Sequence, residues 1–283
     1  MAQYTKTLAN DFNGIQRTLA NVLGTGATTK GYGSPVTSFT ISTGSNISSA
    51  EFTALATDIN TCYRHITNGD ATTLASVVSK GKVTWANFVT YQSAVTYINN
   101  NSDTNGGTAS SPSDTTTLPA GWGNASGNRI ATQTGTITFA SAEAMRFFFN
   151  QGNTITITGS CSYTGAEPKT VDWRDLVKTV SVSHTRSTYR AGSAADTTYY
   201  MSTNPYGYSP PAVKNDYVQV TMGAPSGNTM SITITLNDKG QDNQVASNCD
   251  ADLTFTASRI VSNTTGISTY GPTVTFGTWA YTA

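Results

Sequence analysis

In the stretch Met230-Ser231-Ile232-Thr233-Ile234-Thr235-Leu236, an apolar side chain stands at every second position, with Ser and Thr between. A period of two places alternate side chains on opposite faces of a strand, so one face can go to a core and the other to water. The same alternation recurs in Gly135-Thr136-Ile137-Thr138-Phe139 and in residues 153–159 around Ile155 and Ile157. It returns in residues 217–222 around Val218 and Val220, in 253–257 with a continuation to Ile260, and in 274–281. Strong turn signals separate these runs. Together they predict antiparallel connections and a β-sandwich over residues 130–283. Two helices are expected to interrupt it. One spans 141–150, where Ser141 can cap and Gly152 follows; the other spans 171–180, with Trp173, Leu176 and Val177 on one side.

The first hundred residues follow a different period. Three segments carry apolar residues at spacings of three, four and seven from a phenylalanine: Phe12 with Ile15, Leu19, Val22 and Leu23; Phe52 with Leu55, Ile59, Cys62 and Ile66; Phe88 with Val95 and Ile98. Each draws one apolar stripe on a helix. Ser48 and Glu51 have capping-box spacing, and Gly24-Thr25-Gly26 and Asn68-Gly69 supply stops. The three phenylalanines stand about 40 and 36 residues apart, within the range of repeated units, and suggest a duplicated helix-plus-turn module over residues 1–100. The fold class expected is therefore α+β: a small helical module followed by a mainly antiparallel sandwich. Residues 101–129, rich in Gly, Ser, Thr and Asn, read as a linker or as an arm that docks on a neighbouring subunit, with Trp122 arguing for docking.

Composition narrows function. The 283 residues contain 16 Lys+Arg and 16 Asp+Glu, and charged residues make up 11%, less than half of the roughly 25% usual in soluble domains. Such a chain cannot neutralise many phosphates, which excludes nucleic-acid binding by bulk electrostatics. Neutrality also removes the repulsion that keeps molecules apart, as suits a component of an assembly. No apolar run is long enough to span a membrane or to match a signal peptide, so synthesis in a cytoplasm without membrane insertion is expected. The cysteines Cys62, Cys161 and Cys249 form no CxxC pair and no disulfide framework.

Residue chemistry for catalysis is sparse. Cys62 and His65 share one side of a helix without an oxyanion motif, so they read as helix packing and a surface histidine; His184 reads as structural or solvated. Nucleotide, zinc-protease and serine-hydrolase signatures are absent. Glu143, Glu167, Asp172 and Asp175 are acids by location only, with no spacing that selects a glycosidase pair. The loop Asp238-Lys239-Gly240-Gln241-Asp242, with Asp250 and Asp252 beyond it, offers oxygen ligands but departs from the EF-hand pattern, and reads as a solvated hairpin. No catalytic residue, cofactor or metal set is therefore expected. The Tyr-rich region holding Tyr199, Tyr200, Tyr206 and Tyr208 reads either as a loop pinned by its rings or as a sugar- or protein-binding surface.

Three stretches resemble tailed-bacteriophage virion structural proteins. The first is residues 8–26, with Asp11-Phe12-Asn13 and Val22-Leu23-Gly24-Thr25-Gly26, then Gly31-Tyr32-Gly33. The second is Ile47 to Phe52 with Asp58-Ile59-Asn60 and His65-Ile66-Thr67-Asn68-Gly69, where a Trp often stands in place of Phe52. The third is Phe139 with residues 142–152, ending Phe147-Phe148-Phe149-Asn150-Gln151-Gly152. The loop after Leu236 is similar to an Asp-rich hairpin of such chains. The resemblance covers about a third of the chain and implies a non-catalytic virion part: tail fibre, baseplate or neck. Copies of itself and other virion proteins are the expected partners, with Phe12, Ile15, Phe52, Phe88 and Trp122 as assembly contacts. The rivals are a host-receptor protein binding a surface glycan through the tyrosines, and an envelope-polysaccharide hydrolase.

Overall fold

A computed structural model describes residues 2–27, 29–71, 74, 85–107, 109–119, 122, 129–165, 168–201, 216–238 and 252–282. In chain order the elements begin with helices α1 (Ala2–Leu23), α2 (Ser49–Thr67) and α3 (Trp85–Asn100) and strands β1 (Ala109–Ser110), β2 (Ser113–Thr117) and β3 (Arg129–Thr138). Next come α4 (Ala142–Asn150), β4 (Thr154–Cys161), α5 (Pro168–Lys178), β5 (Ser181–His184), α6 (Arg186–Arg190) and β6 (Ala195–Tyr200). Strands β7 (Tyr217–Met222), β8 (Thr229–Asp238), β9 (Leu253–Ser262) and β10 (Thr273–Thr282) complete the order. The chain is α+β with antiparallel sheets, and it forms two compact units. The first comprises Met1–Ser110, Glu143–Asn153 and Val261–Gly271; the second comprises Ser111–Ala142, Thr154–Ile260 and Pro272–Ala283. The division therefore does not fall at one linker, as the boundaries at 100 and 130 implied. Two later segments join the helical unit because their side chains are bonded into it, as shown below.

In the first unit, α1, α2 and α3 close over one apolar core, and the three phenylalanines of the sequence pattern meet there. The Phe12 and Phe52 rings lie 5.4 Å apart, and Phe52 and Phe88 also 5.4 Å, both edge to face. Edge-to-face pairs contribute about 1 kcal/mol each beyond the burial of their area. Glu51 accepts from the Ser48 N–H at the start of α2, and Asn68 ends the helix in the left-handed region (φ 62°), its N–H donating to Arg64 O at 3.1 Å. The Gly-rich turn after α1 folds back so that its N–H groups cap the helix. Tyr32 N donates to Val22 O, Gly33 N to Gly24 O and Ser34 N to Leu23 O. These bonds satisfy carbonyls that a helix end otherwise leaves open. Gly31 (φ 100°) permits the return: a Cβ there would lie 2.2 Å from Thr25 O.

Among the described residues the extended segment that follows has no strand beside it, and side chains take a strand's place. Asn13 Nδ2 donates to Ile41 O and Asn13 Oδ1 accepts from Ile41 N, each at 2.8 Å. Gln16 Nε2 donates to Ser38 O at 3.0 Å. The buried Asp58 carboxylate accepts from Ser38 N at 2.7 Å, from Thr37 N at 3.1 Å and from Thr37 Oγ1 at 2.6 Å. Buried backbone groups must be paired somewhere, and these three polar side chains do it.

In the second unit, one sheet runs β10-β3-β8-β7-β6. In the other, β2 and β4 pair with β9, and β5 pairs with β4. Alternation operates as the sequence implied. Met230, Ile232, Ile234 and Leu236 of β8 are buried, as are Val218, Val220 and Met222 of β7, and in the other sheet Ile155 and Ile157 of β4 with Phe255 and Ala257 of β9. Burying each of the Val, Leu, Ile, Met and Phe side chains among them stabilises by about 1.5–3 kcal/mol. Residues 113–117, expected in a linker or docking arm, instead form β2, in register from Ser113 opposite Ser258 to Thr117 opposite Thr254. The run has no apolar residue to betray a strand, but its threonines are β-branched and suit one. Trp122 is buried edge-to-face on Trp173, the ring centroids 4.9 Å apart, so it anchors its own unit.

Candidate functional site

Within the first unit the three resemblance stretches converge on His65. Its ring Nε2 lies 2.9 Å from Gln151 O and its Nδ1 3.0 Å from Ser262 Oγ. A carbonyl can only accept, so Nε2 carries the proton and Nδ1 accepts from the Ser262 hydroxyl. The Tyr32 ring stands edge-on to the imidazole, 4.7 Å between centroids. Gln151 Nε2 donates to Tyr32 O at 2.9 Å and to Ser268 O at 2.8 Å. Asn153 continues the network: its Nδ2 donates to Gln151 Oε1, and its Oδ1 accepts from Asn105 Nδ2 and Ser262 N. Arg146 of α4 adds a clamp, its guanidinium donating to Thr25 O and Lys30 O at 2.7 Å each and to Ala27 O at 3.1 Å.

The expectation of a surface histidine at residue 65 is thus corrected: His65 is fully buried, and burial lowers its pKa to about 4. Ser262 is equally enclosed, so this Ser–His pair has no route to solvent and works as a pin between α2 and two distant segments. Cys62, one turn before His65, is buried, and burial together with the Asp58 charge raises its thiol pKa, which favours the neutral thiol. His184 is buried as well, with a pKa lowered by burial, and its Nε2–H donates to Ser193 O at 3.2 Å.

The acids are spread out. Glu143 is exposed and ion-paired to Arg146 at 2.6 Å, a hydrogen bond that lowers its pKa. Asp175 is exposed beside Arg174 at 2.7 Å. Asp238 of the suggested cation loop is buried, 2.8 Å from Lys169 Nζ, which places a cation on the oxygens a metal would use. Glu167, Asp242, Asp250 and Cys249 lie outside the described residues, as do Tyr206 and Tyr208. Among the described residues no group of three or more His, Cys, Asp or Glu could hold a metal ion, and no helix is long and apolar enough to cross a membrane.

The residues expected as assembly contacts lie inside the units, with Ile15 and Phe88 also lining a groove. Phe12, Ile15, Phe52, Phe88 and Trp122 are all buried within their own units. Trp85 is 60% exposed and Val89, one turn on along α3, 44%; Phe39 and Tyr97 of the same unit are exposed as well. Trp85 stacks beside Phe88 at 6.3 Å and borders a groove of about 240 Å³ between α1 and α3. Asp11, Gly14 and Ile15 line one wall, and Phe88, Gln92 and Val95 line the other. This groove and the exposed α3 turn are the candidate site. Comparison of the chain with family models, curated proteins and solved structures finds no match.

The tyrosines divide. Tyr199 is partly covered, and its hydroxyl donates to Ser181 O at 2.8 Å and accepts from Ser181 N at 3.0 Å, so it ties β6 to β5. Tyr200 is 64% exposed, with the Tyr217 ring 6.0 Å away. Sequence patterning alone did not mark Trp85 or Asp11. Trp85 begins an otherwise regular apolar stripe, and only packing reveals that it lies off it.

Proposed function

We propose that this chain is a non-catalytic structural component of a tailed-bacteriophage virion, associated with the tail as fibre, baseplate or neck. It assembles through its N-terminal helical unit, and the sheets of the second unit pack face to face as a sandwich. The virion part of this reading rests on the resemblance carried by residues 8–33, 47–69 and 139–152. Its support is that Tyr32, His65 and Gln151, one from each stretch, meet in a single buried network. The observation that carries assembly is the solvent-facing pair Trp85 and Val89 beside the α1–α3 groove. Large apolar side chains on a surface with no net charge mark an interaction site. The sandwich is supported by the buried faces of both sheets of the second unit.

The test is to locate the chain in purified particles by electron microscopy and to ask whether the Trp85→Ser, Val89→Ser double variant is incorporated. The expected result is a chain present in particles and a folded variant left out. A chain absent from particles, or a variant incorporated like the parent, overturns the reading. A second reading, host-glycan recognition, is favoured by the exposed Tyr200 beside Tyr217. It predicts that Tyr200→Ala leaves incorporation intact and removes cell binding.

A further inference from the structure

Three features distinguish the α1–α3 groove. Asp11 Oδ2 is shielded from water and accepts no hydrogen bond from the protein, and among the described residues Asp11 has no ion-pair partner. A carboxylate half removed from water without a donor costs free energy that native proteins seldom leave unoffset. Gly14 sits inside α1, where glycine costs about 1 kcal/mol against alanine. A Cβ there would meet nothing within 4 Å, so no packing demands the glycine. Its effect is to leave the groove open at that point. Trp85 presents a mostly exposed indole at the groove's rim.

We propose that the groove receives an arginine side chain presented by an adjoining polypeptide. This deepens the assembly reading and rests on it for the source of the arginine, though not for the chemistry of the pocket. The guanidinium sits against the part of Asp11 that lines the groove, and its plane stacks on the Trp85 indole. The aliphatic stem lies along Ile15, Phe88 and Val95, while Gly14 leaves room for the chain to enter. Carboxylate, aromatic face and apolar wall are the three contacts that a guanidinium uses at once, and its fork and flat face suit them better than an ammonium does.

The test titrates the intact protein with N-acetyl-arginine methylamide, following the Trp85 indole N–H by NMR after assignment with Trp85→Phe. The norleucine analogue serves as the uncharged control. The expected result is saturable binding that weakens about tenfold in Asp11→Asn, the size of one lost charge-assisted hydrogen bond. Gly14→Leu fills the groove while improving helix propensity, so it should stay folded and lose binding. Binding should also weaken as salt rises. Equal affinity for the norleucine analogue, or unchanged binding in either variant, overturns the proposal. If the arginine analogue binds as described but the chain is absent from particles, the pocket chemistry stands and the virion reading falls. If the chain is in particles and the analogue does not bind, the reverse holds.

Discussion

Lowering the pH from 6.5 towards 4 should progressively destabilise the helical unit through His65. The neutral ring is held at both nitrogens, with Nε2–H donating to Gln151 O and Nδ1 accepting from Ser262. Burial opposes charging of the ring, and the Gln151 carbonyl only partly offsets it, so the pKa falls from 6.5 to about 4. In the unfolded chain His65 takes up its proton near 6.5, whereas in the folded chain it does so only near 4. Above 6.5 both states are neutral and the full stability is present. Between 6.5 and 4 the unfolded state binds more protons, so stability falls by about 1.4 kcal/mol per pH unit, about 3 kcal/mol in all. The assay is urea denaturation followed by a probe in the helical unit, at pH 7.5, 5.5 and 4.5, for the parent and His65→Gln. The variant should start less stable by about 1–3 kcal/mol, because Ser262 and the Gln151 carbonyl lose well-placed partners. Its stability should fall less steeply than the parent's over this window. Carboxylates titrate in both proteins and cancel in the comparison, as does His184. Equal slopes for parent and variant, or a His65 ring that titrates near 6.5 by NMR, would refute the reasoning.

Asp58→Ala removes the acceptor for Ser38 N and Thr37 N and should cost about 2–3 kcal/mol in chemical denaturation. Asp58→Asn keeps one acceptor oxygen and should cost less; equal losses would argue against backbone pairing as the role. Gly31→Ala, whose Cβ would press on Thr25 O at φ 100°, should cost about 2–4 kcal/mol. Gly44→Ala, at φ 93° in open space, should cost about 1 kcal/mol, and thermal melts of the two variants side by side check the difference. Trp122→Ala should lower stability by about 3–5 kcal/mol while light scattering reports the same self-association as the parent, because the indole is spent on Trp173. A variant of parental stability with altered association would restore Trp122 as a docking residue.

Periodicity in the chain identified the elements that carry their own apolar pattern. Strand β8 buries Met230, Ile232, Ile234 and Leu236 as alternation requires, and α2 starts at the Ser48–Glu51 capping pair and stops at Asn68, where local capping chemistry places its limits. It did not identify β2, because the segment Ser113–Thr117 has no apolar face and becomes a strand only by pairing with β9. Strand β6 was hidden for a similar reason. Its tyrosines suggest a loop surface, and its place comes from hydrogen bonds to β7. The helical stripes correctly marked Phe12, Phe52 and Phe88 as apolar contacts. Whether the partner was another subunit or another helix of the same chain is not a property of any stripe, since the same face satisfies either.

What the sequence by itself determined is local: helix against strand from the apolar period, helix limits from Ser48, Glu51 and Asn68, and a neutral surface from 16 charges of each sign. What only the tertiary structure decided is which residues are left over once the units have closed. Asp11, Gly14 and Trp85 are unremarkable along the chain and form a groove because α1 and α3 pack side by side. His65 looked like a surface residue until Gln151 and Ser262 arrived from far along the chain. Burial and pairing belong to neighbours in space, and residues from such distant parts of the chain become neighbours only when it folds.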